Sequence, residues 1–305
     1  MIDRVQAAML RSLVRLEKKG RCKVTGGSHR GKEFVWFILG ACLLVCWGCT
    51  PKEQDSQAPS TARVESLKTM GDVHLREGRF RAAMQSYMEA EALDPNDPEL
   101  KFRIALVYAD YFQRLEDAVK YYQEAIRLKK NYSEAYNNLG TVYLRQKRWD
   151  DAIAMFQKAL ENLYYATPEM AYYNLARAHE EKGEEAKAVE YYETAIELKK
   201  QYLDPYGRLG LLYQRQGKYG QALGVFQQLR AQLEKQEPKA GKATQEELKE
   251  YRASLAGAYY HQGVCLQHLG RVAEARESFE RALGIAPDSE TQRLLERALR
   301  FLPPR

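Results

Sequence analysis

Two apolar stripes alternate along most of this chain. Near residue 140 the first reads Tyr136, Leu139, Gly140, Tyr143, and the second reads Ala152, Phe156, Ala159. Spacings of three and four residues put each set on one face of a helix. The same pair of stripes starts again at residues 64, 98, 133, 169, 203 and 256, in steps of 34, 35, 36, 34 and 53. Self-similarity at this period marks a repeat array, in which each unit contacts only its neighbours. The spacing predicts two helices per unit and an all-α repeat body.

The residue types say how the pairs close. Small residues recur where two helices must approach: Gly71, Ala105, Gly140, Ala176, Gly210 and Gly263 on first helices, Ala83, Ala118, Ala152, Ala188, Ala222 and Ala275 on second helices. Rings fill the wedge between one pair and the next: Tyr87, Tyr122, Phe156, Tyr192, Phe226 and Phe279 on second helices, with Tyr136, Tyr172, Tyr206 and Tyr259 on first. Much of the count of 21 tyrosines is thereby packing, not chemistry. Gly78, Gly183, Gly217 and Gly270 fall between the stripes, where a left-handed residue ends a helix. The second unit carries one extra residue, expected in its internal turn. Leu229 and Gln262 stand where the pattern calls for Ala and Leu. These positions resemble the tetratricopeptide repeat, a helix-turn-helix unit of 34 residues. The resemblance covers residues 64–289 and implies a right-handed superhelical solenoid of six such units, whose first helices line a concave groove.

Units one to five occupy residues 64–236 and unit six residues 256–289. The 53-residue step between them holds an insertion and helix extension, 237–255. Pro238 and Gly241 mark a solvated loop there, and Thr244 with Glu247 is a capping-box pattern that predicts a helix start near Gln245. Residues 290–305 read as a capping helix and tail, started by Asp288 or Ser289, with Leu294, Leu295 and Leu299 toward the last unit.

The N-terminus follows a different pattern. Residues 34–49 form an uncharged apolar run, about 24 Å as a helix and so short of a usual span. Basic residues precede it and the polar tether 50–63 follows it, the layout of a secretory signal over 1–49. Gly48-Cys49 resembles the junction of a bacterial lipoprotein signal, with Cys49 lipidated; Cys46 and Trp47 depart from the usual residues before such a junction. Leu39-Gly40-Ala41-Cys42 is a second match, which would leave only Phe34–Ile38 as apolar core. An uncleaved signal anchor is the third reading. Forty-eight residues is long for such a signal, and a start at Val24 would leave a compact one. In each case the positive-inside rule puts the repeats outside the cytoplasm, on the outer membrane if the cell has one.

Charge sharpens this division. The formal net charge is +6. Residues 1–49 hold nine bases and three acids, and residues 50–305 hold 38 of each. The repeat body lacks the basic footprint of a nucleic-acid binder. Four of five cysteines lie in the N-terminal segment, so Cys265 has no partner for a disulfide in the body and reads as packing. No phosphate loop, zinc-protease helix or nucleophile elbow occurs. His74 and His179 sit where the repeat expects a packed tyrosine, while His261 and His268 lack a third ligand for a metal. No cofactor, metal or small-molecule substrate is expected, and no enzyme. The charged turn Glu180–Glu185 reads as solvated surface.

What remains is binding. The resemblance places Asn137, Asn138, Arg145, Tyr173, Asn174, Arg177, Arg208 and Arg215 toward the groove. Of these, Asn138, Arg145, Asn174, Arg177, Arg208 and Arg215 are the candidates for holding a protein or extended peptide: amides clamp a backbone and guanidinium groups fork onto carboxylates. Lys68 matches the carboxylate clamp of chaperone adaptors, but Asp72 and Arg103 replace its asparagines. Six units behind a lipid anchor resemble the type IV pilus biogenesis lipoproteins, the pilotins that help a secretin ring assemble. Adaptors of cell-wall enzymes look alike at this level. An N-terminus with two or three acyl chains is held stably on a bilayer, at about 0.8 kcal/mol per buried methylene. Cys49→Ser is therefore expected to leave an unprocessed precursor that incorporates no labelled fatty acid. Loss of labelling on Cys42→Ser instead would move the junction, and no change with either would identify an uncleaved anchor.

Overall fold

The computed structural model describes residues 58–303, except 239, 240 and 242. The signal segment with Cys42 and Cys49, and the tether as far as residue 57, lie outside the described residues. The described chain is a run of antiparallel helices with no strand among the described residues. First helices are α1 (Ala58–Arg76), α3 (Pro98–Leu106), α5 (Ser133–Arg145), α7 (Pro168–Glu181), α9 (Asp204–Arg215) and α11 (Gln245–His268). Second helices are α2 (Phe80–Leu93), α4 (Leu115–Leu128), α6 (Trp149–Leu160), α8 (Glu185–Leu198), α10 (Tyr219–Lys235) and α12 (Val272–Ile285), and α13 (Ser289–Arg300) closes the array. Each helix packs on its partner and on the next in sequence, as a solenoid requires. The result is a right-handed tetratricopeptide superhelix.

The small residues meet the rings. A Cβ added at Gly140 would lie 2.5 Å from the ring of Phe156, at Gly210 2.5 Å from Phe226, and at Gly263 2.5 Å from Phe279. Gly71 stands in the same relation to Tyr87. The two units with Ala in place of Gly, at Ala105 and Ala176, pack that methyl fully buried in the core with Tyr122 and Tyr192.

Helix ends follow local chemistry. Asp97 accepts from the backbone N–H groups of Glu99 and Leu100 at 2.8 and 3.1 Å, and Thr244 forms a capping box with Glu247. The insertion is largely helix: α10 runs on to Lys235 and α11 begins at Gln245. Gly78, Gly183, Gly217 and Gly270 end first helices at φ of 73°, 83°, 70° and 76°. Gln113 and Lys147 hold the same left-handed conformation without being glycine.

Two expectations are corrected. The extra residue of unit two is absorbed inside its first helix, as a π turn over Val107–Tyr111 whose Phe112 N–H reaches the Val107 carbonyl at 3.1 Å. In α13, Leu295 is buried and Leu299 packs on the core, but Leu294 is half exposed. Adjacent residues on a helix point about 100° apart, so the face that buries Leu295 and Leu299 turns Leu294 away.

Overpacking a core site costs about 1–3 kcal/mol. Gly140→Leu is expected to lower the unfolding free energy from chemical denaturation by that amount. Gly207, on α9 with nothing within 4 Å of an added Cβ, offers the contrast. Gly207→Ala should be neutral or stabilise by up to about 1 kcal/mol through helix propensity. Equal effects at the two glycines would refute the register of the array.

Candidate functional site

Side chains bond directly from one first helix to the next along one face, and the predicted groove residues lie on it. Asn174 on α7 donates from Nδ2 to Oδ1 of Asn137 on α5 at 3.1 Å, and both are buried. Arg177 lies one helical turn on, 3.5 Å from Asn174 Oδ1 and over the ring of Tyr173 at 5.7 Å. Among the described residues no ion pair reaches Arg177. Arg208 on α9 sits beside Tyr173, and Asp204 sits near both guanidinium groups. Burial pushes the Asp204 carboxyl up, against a hydrogen bond from Tyr202 and the pull of Arg177 and Arg208. Tyr173 and Tyr202 meet edge to face at 5.4 Å. Asn174, Arg177 and Arg208 thus come together with two rings and Asp204, and Arg208 also lies 4.0 Å from Glu180.

The other candidates are held apart from this cluster by partners of their own. Arg145 bonds Gln113 and lies 3.4 Å from Asp110 of the preceding unit. Asn138 sits beside the buried hydroxyl of Tyr122. Arg215 lies 2.6 Å from Glu180 on α7, with Arg208 4.0 Å from the same carboxylate.

Glu180 is the residue that the sequence reading missed. The charged turn was expected to be solvated, yet the Glu180 side chain is 7% exposed and accepts from the Tyr192 hydroxyl at 2.6 Å. Burial and then Glu180 raise the pKa of that hydroxyl. Unit one repeats the arrangement: Tyr87 donates to Asp72 at 2.6 Å, and Arg103 of unit two pairs with the same carboxylate. Asp72 and Arg103, the departures from the carboxylate clamp, therefore satisfy each other. Unit two has Tyr122 beside Asp110 and Arg145. A signal was present: these three units place Tyr, not Phe, at the ring of the second helix, and a buried hydroxyl needs a partner.

Glu184 is not free surface either. Its Oε2 lies 2.9 Å from Nδ1 of His179, and hydrogen bonds from Lys187 and Lys182 pull its pKa down to about 2. Burial lowers the pKa of His179 despite Glu184. His268 stacks on Tyr219 at 4.0 Å, and Cys265 is buried with its Sγ 3.0 Å from Gln214 Nε2. Among the described residues no group of three or more His, Cys, Asp or Glu could hold a metal ion.

Helix pairs in sequential contact, with a face of bonded first helices, define an α-solenoid of the kind that binds proteins. Profiles described as tetratricopeptide repeat match residues 65–97, 131–201, 206–240 and 256–289, and one described as TPR repeat matches 113–147. The chain belongs to the tetratricopeptide-repeat family. Among curated proteins it is 27% identical over 168 residues to the protein O-mannosyl-transferase TMTC1 of Homo sapiens, a match over 54% of this chain and 19% of that protein. The chain thus spans about a fifth of that relative's length. Two solved structures share the fold. PilW, a widely conserved type IV pilus biogenesis factor, superposes with a TM-score of 0.61 at 20% identity, over 76% of this chain and 98% of its own. PilF of Pseudomonas aeruginosa does so with 0.60 at 16%, over 78% and 99%.

The buried carboxylates lead to a double-mutant prediction. Glu180→Leu is expected to destabilise the protein by about 1–3 kcal/mol, because it strands a buried hydroxyl. In a Tyr192→Phe background, which makes unit four like units three and five, the same change should cost at least about 0.5 kcal/mol less. Additive effects in denaturant melts would show that the two side chains do not act together.

Proposed function

We propose that this chain is a membrane-tethered, non-enzymatic scaffold that holds an extended segment of a partner protein in its groove, on the extracytoplasmic side of a bacterial membrane. That tetratricopeptide arrays serve protein interaction is the property of the family; the tether, the compartment and the partner are the proposal. The observation that carries the groove is the state of its polar groups. Asn137 and Asn174 bond each other, and Glu180 engages Arg215, whereas Arg177 keeps its charge beside two rings with only an amide oxygen and nearby Asp204. A guanidinium group backed by amides and rings suits an acidic side chain flanked by backbone.

The tether reading rests on the run Phe34–Cys49 and the polar residues after it. Pilus or secretin assembly is the finer reading. Its support is a fold shared with PilW and PilF over nearly their whole lengths, together with that N-terminal segment. No described helix is long and apolar enough to cross a membrane, so on this reading attachment falls to the N-terminal segment.

Charge-assisted contacts matter by about 1.5–3 kcal/mol each. Arg177→Ala with Arg208→Ala is therefore expected to weaken capture of the partner from solubilised membranes at least tenfold, read by quantitative mass spectrometry, with helicity unchanged; Arg177→Ala alone, which breaks no ion pair among the described residues, is expected to weaken capture with melting unchanged. Wild-type capture by the double variant, with capture lost on deleting residues 237–243, would move the binding site to the insertion. That deletion spares Thr244, which caps α11.

A further inference from the structure

The loops that join one unit to the next all lie on the edge of the array where first helices begin. The loops before α3, α5 and α9 are four or five residues long, but the loop from Leu160 to Pro168 has seven, and it carries the outlying exposure of the structure. Leu163 is 93% exposed and Tyr164 is 94% exposed. Single exposed apolar residues need no explanation, but an adjacent pair standing wholly in water does.

This pair is presented by rigid neighbours. Asn162 accepts from the Tyr164 N–H at 3.1 Å through its side chain and from the Tyr165 N–H at 3.0 Å through its carbonyl. Its Nδ2 bonds Ser133 Oγ at 3.0 Å, which ties the loop to the start of α5. Tyr165 is buried, packed with Ala159 and Ala171. Residues 162 and 165 thus anchor the loop from both sides and leave 163 and 164 pointing out.

The flanking loops are basic. Residues 129–132 and 199–203 contribute Lys129, Lys130, Lys199 and Lys200, and the only acid in the three loops is Glu161, which pairs with Lys158 at 2.8 Å. Lys199 is spent on buried Glu169 at 2.7 Å, a contact that also links its loop to the start of α7. Lys129, Lys130 and Lys200 remain exposed. Elsewhere on this edge the loop from Leu93 to Pro98 carries Asp94 and Asp97 and no base. Basic charge and apolar tip therefore coincide at one stretch of the edge.

We propose that this edge is a membrane-docking surface: Leu163 and Tyr164 enter the interfacial layer of a bilayer, and Lys129, Lys130 and Lys200 face anionic lipid headgroups. Tyrosine and leucine favour that layer, and lysines are drawn to an anionic surface. The proposal rests in part on the tether. The chain enters α1 at Ala58 on this same edge, so an anchor further upstream draws this edge to the bilayer and leaves the groove open to a partner.

The test uses the full chain in proteoliposomes of phosphatidylcholine, with or without an equal part of phosphatidylglycerol, carrying lipids brominated along their acyl chains. Tyr164→Trp reports the loop after subtraction of the wild-type signal from the three native tryptophans. On anionic vesicles its emission should shift to the blue and be quenched by the brominated lipid. Adding Lys129→Gln, Lys130→Gln and Lys200→Gln should cut the quenched fraction at least roughly threefold. Lys199 is kept because it holds Glu169. An indole that emits as in water while the chain floats with the vesicles would overturn the docking edge and leave the tether standing. A chain that floats with no vesicle would sink the tether and this proposal together. A blue shift without vesicles that grows with protein concentration would overturn it in favour of contact between copies of the chain.

Discussion

The array depends on one contact: an aromatic ring on a second helix laid against a first-helix position that has almost no side chain. Gly140 under Phe156, Gly210 under Phe226 and Gly263 under Phe279 leave no room for a Cβ without a shift of the ring. This closeness fixes the spacing of the two helices, and the ring then stands as the wall against which the next unit packs. Because every unit repeats the contact, the angle between successive units repeats too, and a superhelix follows from identical local steps. A change in one such contact is passed to the neighbours as an altered stacking angle, since close-packed interiors do not absorb strain locally.

The same ring also arranges the polar face. Where it is phenylalanine, in units three, five and six, the first helix meets it with apolar surface. Where it is tyrosine, its hydroxyl sits deep in the unit and draws a partner in with it: Asp72 for Tyr87 and Glu180 for Tyr192, with Tyr122 beside Asp110 and Asn138. A carboxylate placed there is itself half desolvated, so arginines of the next unit close on it: Arg103 on Asp72, Arg215 on Glu180 and Arg145 near Asp110. Charge on the groove wall is in this way committed to internal pairs, unit to unit. Arg177 stands out because no ion pair reaches it among the described residues; the acid near it, Asp204, lies on α9 and its carboxyl is pushed up by burial.

The helix pairs were legible in the sequence because the ring contact needs a small residue and an aromatic at fixed spacing, and both types are visible without coordinates. The capping box at Thr244 and Glu247 was legible for the same reason, being a local rule. The pairing of Glu180 was not. Its turn contains six charged or glycine residues in a row, which is the composition of a solvated turn, and only the third dimension brings Tyr192 and Arg215 to it. The extra residue of unit two was seen but misplaced: a π turn at Val107–Tyr111 holds it within the helix, so that Gln113 can still take the left-handed position that Gly78 takes in unit one. Of the groove candidates, first-helix positions were readable, but which arginines keep their charge depended on the acids opposite them.

Repetition also decides where novelty can sit. Residues at the ring contact are constrained twice, by their own unit and by the next, whereas loops between units touch the array only at their ends. The longer loop after α6 and the extension between α10 and α11 both lie at such junctions, and each keeps the core contacts intact: Ala159 stays buried before the first, and Phe226 and Ala256 stay buried on either side of the second. Departures from period are therefore cheap in stability and free to carry a surface of their own. In this chain the six units supply a shared scaffold, the unpaired guanidinium of Arg177 distinguishes the groove, and the exposed Leu163 and Tyr164 distinguish the edge. Groove and edge face different ways because first helices present one side-chain row to each other and their N-termini to the edge, so the groove proposed for a partner and the edge proposed for a membrane share no residue.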